Sequence, residues 1–176
     1  MSNPISSSAA LPFAYVVLRI LIVLNWLYGA AILSILVISL VDEPWFRLAF
    51  KLSTSTEAEP VLLGFRSIAV LGFAAVPLHY FVLKRLLSIV ETVRAGDPFV
   101  AANARRLQTI GWVLLALNLL SIVIGIIVAF ISTNAYPVHL DAGFSISGWL
   151  AVLLTFVLAQ VFAEGANMRE DLEGTV

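Results

Sequence analysis

Residues 84–112, KRLLSIVETVRAGDPFVAANARRLQTIGW, form a polar, basic island between long apolar runs, and this interruption constrains the fold more than any other stretch. The runs cover about residues 13–41, 61–83, 109–131 and 144–163, and each is close to the roughly 20 residues that carry a helix across a bilayer. Lipid offers no partner for a backbone N–H or C=O, so segments of this kind are predicted to be helices that satisfy their own hydrogen bonds. Hydrophobic residues make up 61% of the chain and charged residues 12%, whereas soluble domains carry about 45–50% and about 25%. Too little polar side chain is present to coat a soluble globule. The prediction is an all-α, polytopic membrane protein forming a single domain over residues 1–176. Its four transmembrane helices make an antiparallel bundle, and helices 2 and 3 extend into a cytoplasmic helical hairpin at about 84–108.

Taken in order, residues 1–12 are Ser-rich and lack the basic flank of a signal peptide, and the run at 13–41 exceeds the roughly 7–15 apolar residues of a cleavable segment. It is therefore predicted to be a retained span, with Arg19 snorkelling at the head groups. The loop at 42–60 carries both signs of charge, and Trp45 and Phe46 behind Pro44 are expected to lie along the membrane surface as an interfacial anchor. Within the second span stand Arg66, Pro77 and His79. Leu86, Leu87, Val90 and Val93 then continue the apolar pattern at helical spacing, so this helix is expected to project into water until Gly96 ends it. Asp97-Pro98 predicts a new helix start, the carboxylate capping free N–H groups and proline filling the first turn. After the last loop, 132–143, a fourth span leads to a tail at 164–176 that is acidic apart from Arg169.

Basic residues settle the expected orientation, because positively charged flanks stay on the cytoplasmic side. The island holds five (Lys84, Arg85, Arg94, Arg105, Arg106), the first loop two (Arg47, Lys51) and the last loop none. The hairpin and both termini are thus placed in the cytoplasm of a cell carrying this multi-pass protein in its cell membrane. With Arg19 and Arg169 added, the count is seven inside against two outside.

Chemistry-bearing patterns are sparse. The absence of cysteine excludes disulfides and thiolate ligands. The two histidines, His79 and His139, fall on opposite sides of the membrane in this topology, and neither a phosphate-binding glycine loop nor a nucleophile elbow is present. No catalytic residue, cofactor site or metal site is assigned, and the chain is not read as an enzyme. Its net charge of −1 gives no reason to expect direct nucleic-acid binding.

Charged and amide side chains at membrane depth are costly to bury in lipid and often functional. Arg66 is expected to bridge an acid of the outer loops (Asp42, Glu43, Glu57, Glu59 or Asp141) or to snorkel, the alternative being an anion site. For His79 an interfacial or helix-contact role is preferred to a proton relay. Glu164 is a partner for Arg19 if the first and fourth helices are neighbours. Asn25, Asn118 and Gln160 are read as interhelical glue alongside Gly29, Ser121, Gly125, Gly148, Ala151, Thr155 and Ala159; the alternative is a ligand site built from the three amides.

The run GDPFVAANARRLQTIGW, in particular Pro98-Phe99, Asn103, Arg106-Leu107 and Ile110-Gly111, together with the ending VFAEGANMREDLEGTV, resembles domain-of-unknown-function family 2975 of prokaryotic membrane proteins, over most of the chain. Members of that family have no known biochemical activity. Some are encoded beside a small helix-turn-helix regulator of the phage-repressor type, so the resemblance implies a membrane partner that holds or releases a transcription factor. Beside that implication stands the charge pattern: Arg94, Arg105 and Arg106 on the hairpin oppose Glu170, Asp171 and Glu173 on the tail. One reading makes Arg94, Asp97, Pro98, Phe99, Asn103, Arg105, Arg106, Glu170, Asp171 and Glu173 a docking surface for a cytoplasmic protein, with the bundle as anchor or sensor. In the other, the hairpin is a solvated connection whose arginines touch anionic lipid. A small transporter or channel subunit using the intramembrane polar residues, and a structural subunit of a larger membrane complex or homo-oligomer, are the rival classes.

Overall fold

A computed structural model describes residues 10–52, 58–132 and 141–173. Five helices follow one another in these stretches: α1 (Ala10–Val41), α2 (Glu43–Ala49), α3 (Glu59–Arg94), α4 (Ala101–Ile131) and α5 (Ile146–Glu173), with no strand among the described residues. Four of them, α1, α3, α4 and α5, are long and apolar enough to cross a membrane. The 36 residues of α3 amount to about 54 Å at about 1.5 Å per residue, against a hydrocarbon core of about 30 Å. A spanning α3 must therefore carry its polar end out of the lipid. It runs without interruption through Pro77.

The short helix α2 is the first departure from expectation. Asp42 caps it, accepting a hydrogen bond from the Trp45 N–H at 3.1 Å, with Pro44 in the first turn where its missing N–H costs nothing. Trp45 is exposed, but Phe46 is only 2% exposed and packs with Leu52, Ala58, Val61 and Leu62. Its ring stacks on Phe50 at 4.5 Å, and Phe50 in turn meets Phe65 at 5.5 Å. Phe46 is thus a core residue rather than part of a membrane-surface anchor. The apolar side of WFRLAF is used against the start of α3.

The link from α3 to α4 corrects a second expectation. Gly96 adopts φ +85°, the left-handed conformation glycine accepts at little cost, and two hydrogen bonds close the helix end: Gly96 N–H to Val93 O at 3.1 Å and Asp97 N–H to Thr92 O at 3.0 Å. This is a Schellman ending for α3. Residues 97–100 are not helical, and α4 begins only at Ala101. Asp97 and Pro98 therefore do not open the next helix, because the Asp97 backbone is already committed to ending the previous one.

The chain divides into two packed units. The first draws on Met1–Asn25, His79–Leu115 and Ser147–Val176. Its core is Leu107, Ile110 and Ala159, supported by Val82, Leu86, Ile89, Leu114 and Phe162. The second draws on Trp26–Leu78 and Ala116–Ile146 and holds the Phe46 cluster. Within it, small residues permit close approach: Gly29 faces Val76, Gly64 faces Ile131, and Gly125 lies against the backbone of Ala142 and Gly143. Ser121 fastens that last contact, its hydroxyl donating to Gly143 O at 3.3 Å and accepting from Gly143 N–H at 3.2 Å. The small-residue positions Gly29, Ser121, Gly125 and Ala159 all lie in packed contacts.

Candidate functional site

In the first unit the α3–α4 turn is organised by one side chain. Asn103 has no exposed surface. Its amide nitrogen donates to Thr92 Oγ1 at 2.7 Å and to Pro98 O at 2.8 Å, while its oxygen accepts from Arg106 at 2.7 Å. Arg106 also reaches Ser88 O at 3.4 Å, and Thr92 completes the chain by donating to Ile89 O at 2.8 Å. These bonds pair 92 with 103 and 88 with 106, so the end of α3 and the start of α4 lie alongside each other over more than one turn. Pro98, Asn103 and Arg106, expected among the docking groups, take part in building the turn.

The carboxyl-terminal part of α5 closes over this turn. Arg169 forms an ion pair with Asp97. Phe99 meets Phe162, ring centroids 5.4 Å apart, and lies so close over Gly165 that a Cβ there would come within 2.7 Å of its ring. Further along, Trp112 meets Phe156 edge-on at 5.4 Å, and Gly111 faces the same ring. The contacts thus run 97 with 169, 99 with 162 and 165, and 111 and 112 with 156, pairing the two segments in opposed chain order. The two stretches that carried the family resemblance are fastened to each other, with the acid on the turn and the base on the tail. The sequence had suggested the reverse.

Other candidates are placed as follows. Arg94 lies over the ring of Tyr15 at 4.9 Å, and Arg19 sits 5.0 Å from the same ring. Arg19 is therefore engaged by Tyr15, and no ion pair with Glu164 joins them among the described residues. Arg105, Glu170 and Asp171 are exposed, and the side chain of Glu173 lies outside the described residues. Asn25, His79, Gln160 and Glu164 belong to the first unit, Arg66 and Asn118 to the second. Among the described residues no three His, Asp or Glu side chains gather as a metal-binding group.

The second unit contains an ionic network that binds α2 to its neighbours. Arg66 pairs with Glu43 at 2.8 Å and donates to the carbonyl of Ser39; Arg47 pairs with Glu43 at 2.8 Å and with Glu59 at 2.5 Å. Hydrogen bonds from Arg66 and then Arg47 hold the Glu43 carboxyl below the usual carboxylate range. The same Glu43 contact raises the pKa of Arg47. Of the loop acids expected for Arg66, Glu43 is the one it pairs with; of the rivals, Asp42 caps α2, while Glu57, like His139, lies outside the described residues. Arg47, which the sequence presents merely as a loop charge, is only 8% exposed. Its spacing of four from Glu43 was the available signal.

Long apolar helices, a capped polar turn and small residues at the close contacts define a multi-pass, all-helical protein of the membrane class. The chain belongs to domain-of-unknown-function family 2975, whose model matches residues 8–176. No curated protein and no solved structure matches it.

Proposed function

We propose that this protein is a four-span antiparallel bundle in a prokaryotic cell membrane, with its α3–α4 turn and both termini in the cytoplasm, and that the turn and the end of α5 together form a docking surface for a small soluble helix-turn-helix regulator. The observation that carries this reading is the clasp between Asp97 and Arg169 with Phe99 seated on Gly165. It makes one preformed face of two polar segments that are far apart in the sequence. A rigid face loses little conformational entropy when a partner binds. Exposed groups of both signs, Arg105, Glu170 and Asp171, lie on the paired segments and supply the charged rim that fixes the register of a protein interface. The bundle then acts as anchor, and a change in the spans reaches the partner through the turn.

The test is co-purification of the regulator encoded nearest the gene, from gently solubilised membranes. Removing residues 170–176 is expected to release the partner while the amount of inserted protein stays the same. Retention of the partner at the wild-type level in the truncated, inserted protein rejects the docking surface.

A further inference from the structure

Along the first unit, one face of α4 (Ala101, Ala104, Arg105, Gln108) and one face of α5 (Phe156, Ala159, Gln160, Ala163, Asn167) bound an open groove of about 490 Å³. We infer that this groove binds an anionic phospholipid, the phosphate held at Arg105 and the neighbouring amides and one acyl chain lying along the alanine floor towards Phe156. The inference rests on α4 and α5 being membrane spans, and the groove shares Arg105, but no other lining residue, with the proposed docking face.

Four observations carry it. The floor is made of alanines, of which Ala104 and Ala159 are buried, so the depression exists because those positions have no larger side chain to fill it. The rim is polar and unsatisfied by the protein. Arg105 has no ion pair, and the side-chain amides of Gln108, Gln160 and Asn167 have no hydrogen bond, among the described residues. The polarity is graded along the groove. On α4 no charged residue follows Arg106 as far as Ile131, and on α5 none precedes Glu164, while the opposed pairing of 97 with 169 and 112 with 156 puts both polar ends together. Finally, Glu164 does not line the groove, so Arg105 is the only charged side chain that does.

A molecule with an anionic head and a long apolar tail matches that gradient from end to end. A free anion would use only the rim, leaving the alanine floor to water. A helix from a second copy would need apolar contact along its whole length and would bury the Arg105 guanidinium without a counter-charge, which is unfavourable. The volume lies within the range of small-molecule sites, about 300–1,000 Å³.

The experiment is native mass spectrometry of the full chain released from nanodiscs containing equal amounts of phosphatidylglycerol and phosphatidylcholine with the same acyl chains. Wild type is expected to retain phosphatidylglycerol preferentially. Arg105→Gln should reduce that preference about fivefold, the effect of one interfacial basic residue on an anionic head group. Ala163→Phe, which fills the floor between Gln160 and Asn167, should lower retention of both lipids. A second rim variant, Gln108→Leu, serves if Arg105→Gln fails to insert. Equal retention of the two lipids by wild type, unchanged preference in both rim variants, or protection of the chain by inorganic phosphate alone to the same extent as by phosphatidylglycerol would overturn the proposal. So would a dimer mass that rises as bound lipid falls.

Discussion

Asn103 shows what a single buried amide can do to a turn. Its nitrogen and oxygen between them hold Thr92, the carbonyl of Pro98 and the guanidinium of Arg106. Replacing it with leucine fills the same space and strands those partners, each unsatisfied buried group costing about 1–3 kcal/mol. Asn103→Leu is therefore expected to lower the melting temperature of the detergent-solubilised protein markedly, whereas Val123→Leu at an exposed position on the same helix should leave it nearly unchanged. Gly125 gives a second prediction at this scale. An added Cβ would come within 2.7 Å of the Gly143 Cα and 3.0 Å of the Ala142 carbonyl oxygen, and backbone cannot swing aside as a side-chain tip can. Gly125→Ala should cost about 1–3 kcal/mol, the usual range for overpacking, read as a drop in the same melting temperature. Residue roles were only partly legible beforehand. Asp stands just ahead of Pro twice, and the capping rule points to Asp97-Pro98, whereas the side chain that caps α2 is that of Asp42, ahead of Glu43-Pro44. Gly96 is the local sign that separates them, since the chain ends α3 through it and Asp97, while Arg169, which takes the Asp97 carboxylate, is brought near only by the folded chain.

At the scale of an element, α2 is held by charge as much as by Phe46. Arg47 and Arg66 converge on Glu43, and this lowers its pKa below that of the unfolded chain. A depressed carboxylate contributes stability that is fully present above the unfolded value, about 4.3, and is lost as pH falls through the folded value. Thermal stability should thus decline as pH is lowered from 6 towards 3 (~3 units), and Glu43→Gln should flatten that decline while lowering stability at neutral pH. A titration of melting temperature against pH for the two proteins checks this. The existence of α1, α3, α4 and α5 was legible because lipid demands little more than length and apolarity. The helical character of α2 was not, since seven residues carry too little periodicity; its signs were the Asp42 cap and the Glu43 to Arg47 spacing.

For the whole molecule, the apolar surface left exposed on α1, including Trp26, Leu27, Tyr28, Leu40 and Val41, suits a protein surrounded by lipid. The proposed orientation can be read directly, because the chain has no cysteine and single cysteines are introduced into a silent background. Ala95→Cys should resist a membrane-impermeant maleimide in intact cells and react after lysis, whereas Lys51→Cys should react in both. Labelling of position 95 in intact cells would reverse the topology. The clasp between turn and tail was less legible than the spans: basic and acidic segments were visible, yet their mutual attachment depends on Phe99 fitting over Gly165, a steric match that composition does not express. The Asp97–Arg169 pair also joins residues 72 positions apart. At about 5–20 residues per second, α5 reaches the ribosome exit roughly 4–14 s after the turn it fastens. During each round of synthesis the turn therefore passes through an interval in which Asp97 and Phe99 are made but uncovered, and completion of the face is a late event timed by translation itself.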